Sequence, residues 1–230
     1  MTTFPASSAD HDFVQRVTTN LAGVRARIAS TGRDPAEIRV VAVTKTFPAS
    51  AVRAAYGAGL RAVGENYVDE LELKHDETTD VDVRWHYLGA LQTNKIARIT
   101  RVADLLCGVS RMKELEKIAT CSAGMALYVQ VDFTGALGRN GADPAEVPAL
   151  VSRARELGLD VQGLMTVAPV DPKGARRAFS ATGALADELG LKERSMGMSD
   201  DLEMACELGS SEVRIGRALF GPRMAATSLT

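Results

Sequence analysis

Near the start of the chain Phe13, Val17, Leu21, Val24 and Ile28 recur at steps of three and four, with polar residues between them. That spacing lays one apolar stripe along a helix. Asp10 or a nearby serine can cap it, and Gly32 stops it. Beyond it, short apolar runs alternate with helical stretches. The runs predict strands over 39–44, 62–65, 84–88, 105–109, 126–133, 161–166, 194–197 and 212–215, eight in all. Helix starts are legible between them. Asp143-Pro144-Ala145-Glu146 sets a cap, a proline at the first helical position and an acid at the third; Asp171-Pro172 repeats the cap and proline, and Ser110 opens a third helix. Strand–helix units of roughly 20–30 residues suit parallel strands joined by right-handed crossovers. Eight such units, with no GxGxxG after the first strand, predict a closed (β/α)8 TIM barrel preceded by an extra N-terminal helix, not an open sheet. No linker, repeat or low-complexity tract interrupts the pattern, so a single domain over 1–230 is expected, with residues 1–12 flexible.

Length agrees, since 230 residues fit one β/α barrel. A net charge of −2 gives no electrostatic reason to expect nucleic acid or an anionic membrane as partner. No apolar run approaches the roughly 20 residues a membrane span needs. Residues 1–12 lack the basic and apolar regions of a secretion signal, so a cytoplasmic location is expected. Cys107, Cys121 and Cys206 form no CxxC pair, and the only histidines are His11, His75 and His86. No metal site is expected from that set.

A barrel carries its chemistry where strands end. Lys45 follows the run Val40–Thr44; an amine there, with its stem in low dielectric, becomes a nucleophile for an aldehyde, although a solvated lysine at a strand end is the simpler reading of the motif alone. Asn66, in Gly64-Glu65-Asn66-Tyr67, is placed to bond a ring hydroxyl or to serve as a turn residue. His86 stands in an apolar run, equally suited to a core or to a site, and Gln92, Thr93, Asn94 and Lys95 after it suit capping or ligand binding alike. Met165 offers a thioether to a flat ring or fills core.

The segment Ser195-Met196-Gly197-Met198-Ser199-Asp200-Asp201 and the run Glu212-Val213-Arg214-Ile215-Gly216 carry the last two strands and their loops, where barrels often bind phosphate. Gly197 permits close backbone approach, Ser199 stands at a helix start, and Gly216 opens the last helix. Asp200 and Asp201 are expected in a first helical turn, facing outward. Arg214, in an apolar strand, needs a partner: a carboxylate or a pyridine nitrogen. A guanidinium only donates, so against a pyridine nitrogen it weakens the ring as an electron sink.

These blocks, in unbroken order from about Ile38 to Arg223, closely resemble the pyridoxal phosphate homeostasis protein family, which looks like the N-terminal barrel of alanine racemase standing alone. Ser-Met-Gly-Met-Ser-Asp-Asp combined with the barrel-end lysine is the specific part. The resemblance implies pyridoxal 5′-phosphate as cofactor, Lys45 as its Schiff-base lysine and Arg214 as partner of the pyridine nitrogen. It further implies Ser199 and Gly216 at the phosphate, and Asn66, His86, Met165, Ser195 and Met198 around the ring. Gly197 and Ile215 complete the cofactor-binding set. Ala90, Thr93 and Arg194 depart from the family's usual residues.

Three functions compete: a non-catalytic carrier or regulator of pyridoxal phosphate, a racemase of low activity, and a cofactor-free Schiff-base lyase acting on a phosphorylated sugar. Racemisation needs an acid–base group on each face of the substrate carbon. Tyr56, Tyr67, Tyr87 and Tyr128 all precede the eighth strand, and the chain ends at Thr230 soon after it, so the carrier is expected. A monomer that transiently meets apo-enzymes is the expected form.

Overall fold

The computed structural model describes residues 8–136 and 138–222. Every predicted run is a strand: β1 (Arg39–Val43), β2 (Ala62–Glu65), β3 (Arg84–Tyr87), β4 (Leu105–Val109), β5 (Ala126–Val131), β6 (Asp160–Thr166), β7 (Glu193–Ser195) and β8 (Glu212–Ile215). Each pairs in parallel with the next, and β8 with β1, closing an eight-stranded barrel. Between and around them lie α1 (Ser8–Ala29), α2 (Ser50–Gly57), α3 (Val68–Glu77), α4 (Ile96–Ile99), α5 (Met112–Cys121), α6 (Val147–Glu156), α7 (Pro172–Glu188), α8 (Leu202–Glu207) and α9 (Arg217–Phe220).

The differences from expectation have local causes. β7 stops at Ser195 because Gly197 turns to φ +93, which no strand accommodates. β5 stops at Val131, where the Asp132 carboxylate folds onto the N–H and hydroxyl of Thr134. α1 already begins at Ser8, so residues 8–12 are helical, while 1–7 lie outside the described residues. Helix α5 begins at Met112, and Ser110 does not cap it with its hydroxyl; the Glu114 carboxylate reaches back to the N–H groups of Ser110 and Arg111 at 2.8 and 3.0 Å. Asp143 and Asp171 do cap, accepting from Ala145 N and Gly174 N; the first opens a 3₁₀ turn that runs into α6.

Period-two alternation divides the strand residues. Leu105, Cys107, Tyr128 and Met165 pack together inside the barrel, with Leu88 and Val167 above them. Leu106, Leu127, Val129 and Leu164 join the larger core under the helices. The stripe of Val17, Leu21, Val24 and Ile28 is buried, and α1 packs on α2, α8 and α9. Among the described residues no helix is long and apolar enough to cross a membrane.

Candidate functional site

The barrel register brings the strand ends level. Lys45 lies two residues beyond β1; Asn66, Leu88, Val167 and Gly216 each directly follow a strand. They surround a cavity of about 550 Å³, whose wall also includes Val43, Phe47, Met165, Met198, Ser199, Asp200, Arg214 and Arg217. Seven sequence-selected residues therefore share it: Lys45, Asn66, Met165, Met198, Ser199, Arg214 and Gly216. None of 92–95 lines it. A larger concavity of about 740 Å³ opens among Arg25, Arg39, Arg61 and Arg84 at the other end, away from every selected residue.

Four selected residues stand outside the wall. Ser195 is fully buried one step behind Arg214: its hydroxyl accepts from Arg214 Nη1 at 2.8 Å and donates to Glu212 Oε1 at 2.7 Å. Gly197 shapes the bend, where a Cβ would lie 2.5 Å from that of Ala205, and its carbonyl accepts the Arg214 N–H. Ile215 faces the helices. His86 sits deeper in the barrel, wholly buried, with Nδ1 3.6 Å from Glu212 Oε2 and no hydrogen bond at either ring nitrogen. Burial drives its pKa below the ordinary histidine range, against the pull of Glu212, so the ring is neutral.

Among the described residues Arg214 meets no carboxylate directly. Nη1 also donates to Ser195 O at 2.6 Å and Nη2 to Thr166 O at 2.7 Å. Burial lowers its pKa and Glu212 opposes that, but a guanidinium remains a cation in proteins. Its counter-charge thus acts through the Ser195 hydroxyl. Glu212 in turn bonds Arg39 Nη1 at 3.1 Å and Tyr128 Oη at 3.3 Å. Burial first, then Glu212, holds the Tyr128 hydroxyl protonated, far above its usual range. This column escaped the sequence reading, although period two already put Glu212 on the same face as Arg214.

The aspartates differ from expectation. Helix α8 starts only at Leu202, so Ser199 and Asp200 lie in the preceding turn. Asp201 caps that turn by accepting Met198 N–H. Asp200 lines the cavity and pairs with Arg217, which no sequence argument selected. Ser199 Oγ accepts from Ala218 N at 3.3 Å, tying the loop to the first turn of α9. Asn66 Oδ1 is buried without a partner. Gly89 lies so close that a Cβ there would come within 2.2 Å of Asn66 O.

Residues 14–224 match the family model described as alanine racemase, N-terminal domain. The pyridoxal phosphate homeostasis protein of Pseudomonas aeruginosa is 40% identical, covering 89% of this chain and 94% of its own. That of Escherichia coli is 34% identical, covering 89% and 95%. Among solved structures, PipY of Synechococcus elongatus with pyridoxal phosphate (PLP) bound superimposes with a TM-score of 0.79 at 32% identity, covering 89% of this chain and all (100%) of that one. Alanine racemase of Corynebacterium glutamicum has a TM-score of 0.72 at 18% identity, covering 93% of this chain and 63% of that one, a likeness of fold alone.

Proposed function

This chain belongs to the pyridoxal phosphate homeostasis protein family, and on that footing we propose that it binds pyridoxal 5′-phosphate as a Schiff base on Lys45 and serves the balance of that cofactor. The carrying observation is that an amine, a guanidinium and an unpartnered amide oxygen, from Lys45, Arg214 and Asn66, face one cavity. A flat heteroaromatic with one anionic tail fits such a wall. Val43, Leu88, Met165 and Val167 give it apolar faces, and Asn66 Oδ1 awaits a hydroxyl donor. Ser199 and Gly216 stand at the α9 end for the phosphate. When bound, pyridoxal phosphate supplies an aldehyde that condenses with the lysine amine, releasing water. Arg214, anchored by three acceptors, would donate to the pyridine nitrogen and keep it unprotonated.

Carriage is favoured over turnover by the ionisable groups of the wall. Among the described residues these are Lys45, Asp200, Arg214 and Arg217, and the last three are committed to Arg217, Ser195 or Thr166, and Asp200. Lys45 is the one amine of the described wall, and the one carboxylate, Asp200, is paired with Arg217.

Purified protein mixed with pyridoxal phosphate is expected to gain a visible band that borohydride bleaches, and peptide mapping then finds the reduced adduct on Lys45. Lys45→Ala loses the adduct and at least about tenfold in affinity, roughly 1.4 kcal/mol. A colourless wild-type mixture, or an adduct on another lysine, refutes the assignment. A phosphorylated-sugar lyase predicts that colourless outcome.

A further inference from the structure

The peptide groups on either side of Lys45 are held by a buried lysine and a half-buried glutamate that no part of the cofactor reading requires. Phe47 N–H closes a turn onto Thr44 O at 3.0 Å, which makes Lys45 and Thr46 its two central residues. Thr46 has φ +65, the only positive value at a non-glycine among the described residues. A β-branched side chain in that region is strained, and such strain persists only where the surroundings impose it.

The imposing groups come from α3. Glu70 Oε2 accepts the Thr46 N–H at 2.8 Å. The same oxygen accepts from Lys74 Nζ at 2.7 Å, and Lys74 donates further to Thr44 O at 2.8 Å and Glu65 Oε1 at 2.7 Å. The Thr44 hydroxyl also donates to Glu65 Oε1, at 2.6 Å. Lys74 is 4% exposed, and its three donors meet three acceptors. One ammonium thus gathers the carbonyl before Lys45 and, through Glu70, the N–H after it. Bonds to ionised groups are short and strong, so the turn is fixed in direction as well as position.

We propose that Glu70 and Lys74 are positioning residues for the Lys45 amine: by clamping Thr44 and Thr46 they aim it into the cavity. The inference rests on the Lys45 reading above. Condensation depends steeply on the approach of amine to carbonyl, and a displacement of about 1 Å can cost up to about a hundredfold.

The test follows the rate at which borohydride traps pyridoxal phosphate on Lys45, alongside acetic anhydride labelling of the same amine in ligand-free protein and a melting curve for each variant. Glu70→Ala is expected to slow trapping about tenfold and change Lys45 labelling. Glu70→Gln, which keeps an oxygen for the Thr46 N–H, stays within about threefold of wild type. The decisive variant is Glu70→Ala with Thr46→Gly. Glycine takes φ > 0 without being held, so trapping recovers to within about threefold of wild type even though the carboxylate is gone.

If Glu70→Ala traps as fast as wild type, or if the glycine fails to restore the rate, the positioning role is wrong and Glu70 and Lys74 serve stability alone. An unfolded Glu70→Ala with a fully active Glu70→Gln melting as wild type still leaves the double variant to decide, and its failure to fold or to trap counts against the clamp. Absence of any wild-type adduct on Lys45 instead faults the cofactor reading beneath it.

Discussion

A histidine sealed inside a barrel with neither ring nitrogen hydrogen-bonded ties stability to pH. The folded His86 has its pKa below the ordinary value through desolvation, whereas the unfolded chain titrates near about 6.5. Below that pH the unfolded chain takes up a proton the native ring refuses, so stability is full above about 6.5 and falls as the pH drops, by at most about 1.4 kcal/mol per unit. Glu65 runs the opposite way: its raised pKa, from burial first, favours the folded state at low pH and loses that effect as pH rises. Comparing wild type with His86→Gln cancels Glu65, since both proteins carry it. Urea denaturation between pH 5 and 8 is expected to give a flatter stability curve for the variant below about 6.5 and parallel curves above it. Parallel curves throughout would mean that His86 titrates normally. The residue type and its apolar setting were legible in the sequence; its depth was not, because that depends on which inward positions of β3, β5 and β8 share a level.

At the scale of elements, α1 is the addition to the plain barrel, and it braces the side of the site proposed for the phosphate. Arg27 donates from Nε to Glu203 Oε1 at 2.6 Å and from Nη2 to Ser199 O at 2.9 Å, while Asn20 Nδ2 donates to Leu219 O at 2.8 Å. These bonds hold the turn before α8 and the end of α9, which Ser199 Oγ already links. The Arg27 and Glu203 side chains are 37% and 41% exposed, so the ion pair itself contributes about 0–1 kcal/mol. Arg27→Ala is therefore expected to lower the melting temperature by only a few degrees while weakening pyridoxal phosphate binding by about threefold to tenfold, roughly 0.7–1.4 kcal/mol. Calorimetric titration and a melting curve read the two separately; unchanged affinity with a large thermal loss would make α1 a mere lid on the core. The eight strands were legible from apolar runs because parallel strands are buried on both faces. The Asp200–Arg217 pair was not, since a run of Met, Ser and Asp does not say where the turn ends and α8 begins.

The whole barrel presents a single mouth whose described wall holds one amine, that of Lys45, and one carboxylate, Asp200, which is paired with Arg217, with apolar side chains about them. That asymmetry has a stereochemical consequence. On the proposed reading, an amino acid that displaced Lys45 from the cofactor would expose its Cα–H to the released amine on one face, and a proton returned by the same amine would arrive on the face it left. Inversion needs an acid on the opposite face, and such a positioned group typically contributes 10²–10⁴-fold. Loaded protein incubated with L-alanine in deuterated water is therefore expected to incorporate deuterium, where it does so at all, with retention of configuration. D-alanine is expected to form at least about a hundredfold more slowly than the deuterated L-enantiomer. Chiral chromatography coupled to mass measurement reads both products from one sample. Deuterated D-alanine accumulating as fast as the L-form would place a second acid–base group at the mouth and make the protein a racemase. Retention, together with cofactor passing to an apo-transaminase faster than from free solution, leaves carriage as the chemistry this cavity performs.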